Sequence, residues 1–330
     1  MGKPRFLVTG GSGFIGSNLA AALLSAGERV RTYDNLSTGR RALLDEPRAR
    51  GEALEEITGD IRDQAALARA MDGVEIVFHQ AADGSVPRSV EGPLATDSNN
   101  IHGTVSVLEC ARHAGVRRVI FAASSAAYGD DPTLPKRESM EPLPLSPYAV
   151  SKVAGEMYLR VFAGLYGLET LSLRYFNVFG PGQLPDGPYA AAIPRFAHAA
   201  LSGQPAVVYG DGEQTRDFCY IANVVQANLA AASSPRPLRG EVLNVATGAV
   251  VSLNRVLSTL GKLLDRPVAV RHEAPRPGDI RHSHASIERA REFLGYTPAV
   301  SWEEGLPPTL DFLRGVLASP ERYARPPGVV

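Results

Sequence analysis

Thr9-Gly10-Gly11-Ser12-Gly13-Phe14-Ile15-Gly16 is the stretch that decides the fold. The apolar run before it, Arg5–Thr9, reads as a buried strand, and Phe14–Ala26 after it reads as a helix. Glycines between the two suit a tight turn that brings backbone close to a pyrophosphate. Gly11, Gly13 and Gly16 fit G-x-G-x-x-G, while Gly10, Gly13 and Gly16 fit G-x-x-G-x-x-G. Strand before and helix after is the context that gives such a pattern meaning. The helix start, through Phe14 and Ile15, then offers free N–H groups and a positive dipole end to an anion. Asp34 closes a second strand, Arg29–Tyr33. A carboxylate there accepts hydrogen bonds from adenosine ribose hydroxyls and repels a 2′-phosphate, so NAD is expected over NADP.

Outward from this turn, short apolar runs alternate with amphipathic stretches. Ile57, Glu75–His79 and Arg118–Ala122 continue the strands. Gln64–Met71, Ala95–Ala114 and Tyr148–Tyr166 read as helices, and Thr170–Tyr175 as a further strand. Strict alternation implies right-handed βαβ units and a parallel sheet covered on both faces. Asp60-Ile61 follows the third strand and is placed to meet an adenine edge. Gln80-Ala81-Ala82 ends the fourth with small side chains that permit close approach. The expected fold class is α/β: a doubly wound, Rossmann-type sheet over 1–176, with segments near 217–246 returning to it. Residues 177–330 are expected to form a smaller α/β substrate domain, ending in a loose tail at 320–330. Its helices are expected at Pro194–Ser202, Ile221–Ser233, Leu253–Leu264, Ser286–Leu294 and Trp302–Leu317.

Composition excludes several classes. Lys and Arg total 34 against 35 Asp and Glu, a balance that argues against a polyanion groove and so against nucleic acid. Cys110 and Cys219 are too few for a disulfide framework or a zinc site, and no metal is expected. No apolar run approaches the roughly 18 residues of a membrane span. The start runs straight into a strand, leaving no room for a signal peptide, so a cytoplasmic protein is expected. A chain of 330 residues buries roughly 75% of its unfolded surface and needs no staple.

Tyr148-Ala149-Val150-Ser151-Lys152 puts a phenol and an amine at i and i+4, on one helix face. A phenol near its ordinary pKa of about 10 is a poor base at neutral pH. An adjacent ammonium and an oxidised nicotinamide ring would lower it and suit it to take a hydroxyl proton as hydride leaves the same carbon. Ser124, at the end of the strand before this helix, is suited to bridge that proton. Neither Ser124 nor Ser125 sits in G-x-S-x-G, which argues against an acyl-enzyme hydrolase.

These segments together resemble the extended short-chain dehydrogenase/reductase superfamily over nearly the whole chain. Within it the chain is similar to the UDP-hexose 4-epimerases, bacterial UDP-N-acetylglucosamine 4-epimerases above all. HQAADGSVPRSV, NNIHGT, SSAAYGD, LSPYAVSK, RYFNVFGPGQ, GDGEQTRDFCYI and RPGDIRHSHA carry the likeness. The resemblance implies a Ser124, Tyr148, Lys152 catalytic set, with Lys152 also holding the nicotinamide ribose. It implies cofactor contacts at Asn35, Ser37, Thr38, Gly39, Asn99 and Tyr175, and substrate contacts at Ser85 and Ser125. It further implies a diphosphate grip by Asn177, Arg216 and Arg276 near Asp279, uracil packing on Tyr209, and a homodimer through the Ala95–Ala114 and Tyr148–Tyr166 helices. The paired donors of a guanidinium match phosphate oxygens. A surface ion pair with Asp217 or Asp279 is the structural alternative for the two arginines.

Two details sharpen what the resemblance implies. The superfamily's 4,6-dehydratases carry Asp-Glu after the catalytic Thr, where this chain has Ser125 and Ala126, and Ala126 cannot transfer a proton. Ser283 stands where epimerases limited to plain sugars carry a bulky Tyr, which leaves space for a 2-acetamido group. Relatives often have a third serine at Ala126. The expected reaction is therefore 4-epimerisation of UDP-GlcNAc and UDP-GalNAc, with UDP-Glc and UDP-Gal as further substrates, through a transient 4-keto sugar. The alternatives are another NDP-sugar epimerase or dehydratase and, from a different class, a catalytically silent NAD-binding regulatory protein.

Overall fold

The computed structural model describes residues 4–185, 191–275 and 280–324. Seven strands form one sheet in the order Arg239–Val245, Glu169–Tyr175, Arg118–Ser124, Ile76–His79, Phe6–Thr9, Val30–Asp34 and Leu54–Thr58. Every neighbouring pair is parallel. The winding reverses between Phe6–Thr9 and Ile76–His79, and parallel α/β sheets bind ligands outside the strand ends at that crevice. Buried clusters cover both faces. One packs Leu19, Leu23 and Val224 against Val8, Phe78 and Ile120; the other packs Val107, Leu108 and Leu159 against Leu7, Val77 and Val119. Arg118, fully buried, donates to the carbonyls of Ala231, Ala232 and Ser234 and so caps the last turn of Ile221–Ser233. That turn has no glycine to end it.

Three smaller pairings lie beyond Tyr175. Val178–Phe179 pairs with Cys219–Tyr220, and Ala206–Tyr209 with Val270–Glu273. Thr215–Arg216 lies between Val251–Ser252 and His282–Ser283. A third cluster, with Phe196, Val256, Trp302 and Leu310, sits beneath them.

The single helix expected over Ala95–Ala114 is instead three pieces: Pro93–Thr96, a π turn at Asp97–His102 and Gly103–His113. The wider turn puts Asn99 on the cleft wall while Asn100 is buried. Asn100 donates to Asp83 O and Ser151 Oγ and accepts from Asp83 N, a latch that a regular turn would misplace. A short helix, Val86–Glu91, and the strand Val270–Glu273 were not legible in the pattern. Pro320–Tyr323, the head of the expected loose tail, forms a 3-10 turn. Tyr323 O accepts from Arg40 Nε and its ring packs on Phe312. Among the described residues no helix is long and apolar enough to cross a membrane, and no side-chain group is suited to hold a metal ion.

Candidate active site

A cleft of about 1040 Å³ runs across the strand ends. That exceeds the volume typical of one small ligand and leaves room for a dinucleotide beside a second molecule. Gly10, Gly13, Phe14, Ile15 and Gly16 form its floor at one end. The helix Phe14–Ser25 starts at Gly13 with no side-chain cap and no acidic residue in its first turn, so its leading N–H groups face the cleft unopposed. Gly10 takes φ +70°, and a Cβ there would lie 2.7 Å from Ala81 N. At Gly16 a Cβ would lie 2.1 Å from Gly10 O. The space is shaped by backbone on both sides, and a pyrophosphate fits those donors.

Asp34 lines the cleft, and its two oxygens accept from Ser12 N at 2.9 Å and Leu36 N at 2.8 Å. The turn and ligand readings of this residue therefore coexist, since a carboxylate keeps spare lone pairs. Burial pushes this carboxyl up and the two amides pull it back. Asn35, Ser37, Thr38, Ile61, Gln80, Ala81, Ala82, Asn99 and Tyr175 also line the cleft. Gly39 stands behind Asp34, where a Cβ would meet Asp34 Oδ1 at 2.9 Å. Asp60 departs from the expectation. Its carboxylate is taken by Arg62, at 2.6 and 2.8 Å, and by Asn35 Nδ2, and it does not reach the wall.

His79, fully buried under the turn, sets the strand ends. Thr104 Oγ1 donates to Asn100 O, so it accepts from His79 Nε2 at 3.0 Å; Thr9 Oγ1 then donates to Nδ1 at 2.8 Å. Burial pushes the imidazole down to about 3, and the ring is neutral.

The catalytic candidates come from two elements. Ser124 ends the strand Arg118–Ser124. Tyr148 and Lys152 lie in the first turns of Pro147–Tyr166, which is started by Pro147 and by Ser146 Oγ accepting from Ala149 N. Ser124 and Tyr148 share the cleft wall. Lys152 sits behind it, only 4% exposed, with Nζ donating to Ala122 O at 2.7 Å and lying 5.9 Å from the Tyr148 ring centroid. Burial pushes this amine down to about 8, against the pull of Glu156. Around Tyr148 itself, burial pushes the phenol up, a hydrogen bond with Ser124 pulls it back, and the Asp83 charge adds to the rise.

At the other end Ser85, Ser125, Asn177, Arg216 and Ser283 line the cleft. Asn177 takes φ +30°, a conformation Asn tolerates better than most residues. Tyr209 does not reach the wall; the Arg195 guanidinium lies 5.8 Å from its ring centroid. Arg276 and Asp279 lie outside the described residues. The sequence reading missed Arg88, Lys136, Gln183 and Leu145, which also line the cleft. Arg88 stood inside the quoted GSVPRS segment. Leu145 and Gln183 likewise stood in the quoted LSPYAVSK and RYFNVFGPGQ segments, whereas Lys136 lies in a loop without periodicity and gave no signal.

The family model for the NAD dependent epimerase/dehydratase family matches residues 6–246. The chain is 38% identical over 312 residues to a UDP-glucose 4-epimerase of Mycolicibacterium smegmatis, covering 94% of this chain and 98% of that protein. It is similar to the solved UDP-N-acetylglucosamine 4-epimerase from Methanobrevibacter ruminantium M1 in complex with UDP-N-acetylmuramic acid. That match has 40% identity and a TM-score of 0.89 over 96% of this chain and 99% of the other. It is also similar to the UDP-glucuronic acid 4-epimerase from Bacillus cereus, solved with UDP-glucuronic acid and NAD. There the identity is 30% and the TM-score 0.87, over 94% and 99% of the two chains.

Proposed function

The chain belongs to the NAD dependent epimerase/dehydratase family, and from that premise we propose that it is an NAD-dependent UDP-sugar 4-epimerase. Its proposed substrates are UDP-GlcNAc and UDP-GalNAc first, then UDP-Glc and UDP-Gal. The observation that carries this reading is the position of Ser124 and Tyr148 on one wall, between the glycine turn and the end lined by Arg216 and Ser283.

NAD would lie on the Gly10–Gly16 turn with its ribose at Asp34, and when bound it supplies hydride acceptance and return at the alcohol carbon. Tyr148 takes the proton of the sugar 4-OH, with Ser124 beside it to relay, and returns a proton when the 4-keto sugar is reduced. Lys152 holds the Tyr148 helix against Ala122 and supplies positive charge behind the wall. Arg216, together with Arg276, grips the diphosphate while the hexose turns over between two faces. Few polar groups need to hold the hexose for that. Ala126 offers no proton for water loss, which favours epimerisation over dehydration.

Incubating the purified protein with UDP-GlcNAc and assaying for UDP-GalNAc tests the reading. Conversion is expected. A folded sample that converts neither UDP-GlcNAc nor UDP-Glc refutes it. Ser283→Tyr is expected to lower the ratio of acetylated to plain turnover by about tenfold or more, because a ring there occupies the acetamido space.

A second copy of this chain is the proposed partner. Val150, Met157, Val161 and Leu165 expose one apolar stripe on Pro147–Tyr166, and Val90 and Leu94 extend it, with Leu94 85% exposed. Sedimentation at about twice 35.2 kDa is expected. A monomer at micromolar concentration would refute this pairing.

A further inference from the structure

Asp217 follows Arg216 directly, is fully buried and does not line the cleft. None of the steps above uses it. Its carboxylate accepts four hydrogen bonds. Oδ1 takes Thr247 N at 2.9 Å and Thr247 Oγ1 at 2.7 Å; Oδ2 takes Gly248 N at 2.9 Å and Ala285 N at 3.3 Å. Its own carbonyl accepts from Asn177 Nδ2 at 3.1 Å. Four stretches of chain, distant in sequence, thus meet at one side chain and its peptide. Three of them hold residues that line the cleft's Arg216 end: Asn177, Arg216 itself, and Ser283, which pairs in register with Arg216 two residues before Ala285.

We propose that Asp217 is a positioning residue for nucleotide-sugar binding, fixing Asn177, Arg216 and Ser283 relative to one another from behind the wall. The inference rests on reading this end of the cleft as the nucleotide-sugar site. The residue type follows from the neighbours. All four groups facing the side chain are donors, and of the buried alternatives only a carboxylate presents acceptors alone. Asparagine would turn an amide against two N–H groups or against the Thr247 pair, leaving buried donors unpaired. The strands bearing Arg216 and Ser283 would then shift against Asn177. The glycine turn is not among the hydrogen-bond partners of this hub.

Asp217→Asn is therefore expected to weaken UDP binding, measured by calorimetry, and to raise KM for UDP-GlcNAc, each on the order of tenfold to a hundredfold. Turnover at saturation is expected to change by less than about threefold, and NAD content to stay as in the wild type. Thr247→Val removes one hydroxyl donor and leaves the backbone bonds, so a smaller KM rise of about threefold is expected, with the fold intact. It keeps the test open if Asp217→Asn does not fold. Unchanged UDP affinity and KM in a folded Asp217→Asn protein, or in Thr247→Val, overturn the inference. So does a variant in which NAD, turnover and melting temperature fall together without a KM change. Wild-type protein that binds no UDP would instead overturn the underlying reading of the cleft, and this inference with it.

Discussion

Tyr148→Phe is expected to lower turnover of the nucleotide sugar by about two to four orders of magnitude while NAD stays bound. The ring is kept, so its packing against the wall and the start of Pro147–Tyr166 is undisturbed. Only the hydroxyl goes. No other phenol described on the cleft wall is free to replace it. Tyr33 Oη donates to Asp60 O at 3.0 Å, Tyr128 Oη donates to Asn244 Oδ1 at 2.6 Å, and Tyr175 Oη is bound up with Asn228 and Gln80. Burial pushes Tyr33, Tyr128 and Tyr175 up to about 12, and the bonds just named engage each of these hydroxyls away from a substrate. Ser124 relays a proton but cannot store one. Steady-state rates together with NAD released on denaturation check this outcome. A variant with near-normal rate would remove Tyr148 from the proposed proton path.

Gly16→Val is expected to abolish NAD retention and to cost about 3 kcal/mol of stability, the upper end for overpacking, because the clash is with main chain. A Cβ at this position would lie 2.1 Å from Gly10 O, 2.8 Å from Gly10 C and 2.9 Å from Gly11 Cα. All three are main-chain atoms, so no side chain can rotate away. Either the turn opens or the helix Phe14–Ser25 tilts off the strand, and both move the leading N–H groups that would face a pyrophosphate. NAD content and thermal melting, read on the same preparation, give the result. Full NAD occupancy with an unchanged melting temperature would contradict the role given to this turn.

The parallel sheet was legible because its strands announce themselves locally: Arg5–Thr9 and Arg118–Ala122 are apolar runs, and the glycine turn separates strand from helix by steric need. Tyr148 and Lys152 were legible because their helical spacing follows a dinucleotide fold and a serine-bearing strand end. What stayed hidden depends on contacts between distant segments. The π turn at Asp97–His102 exists because Asn100 binds Asp83 and Ser151, residues it meets only in the folded chain. Asp60 looked like an adenine contact by position, yet Arg62, two residues on, has a side chain long enough to return and claim it. Asp217 read as a possible partner of Arg216 because they are adjacent. The fold points its carboxylate the other way, to Thr247, Gly248 and Ala285. Lys152 shows the same limit: its face was legible, but its aim at Ala122 O was not.

The most direct measurement follows deuterium placed at C4 of UDP-GlcNAc, with the protein in ordinary water. The expected product is UDP-GalNAc that keeps the label at C4, since the atom removed as hydride is returned to the same carbon without passing through solvent. Product that has lost the label to water would mean deprotonation at carbon, and would contradict oxidation and return at C4 as the reaction this cleft performs.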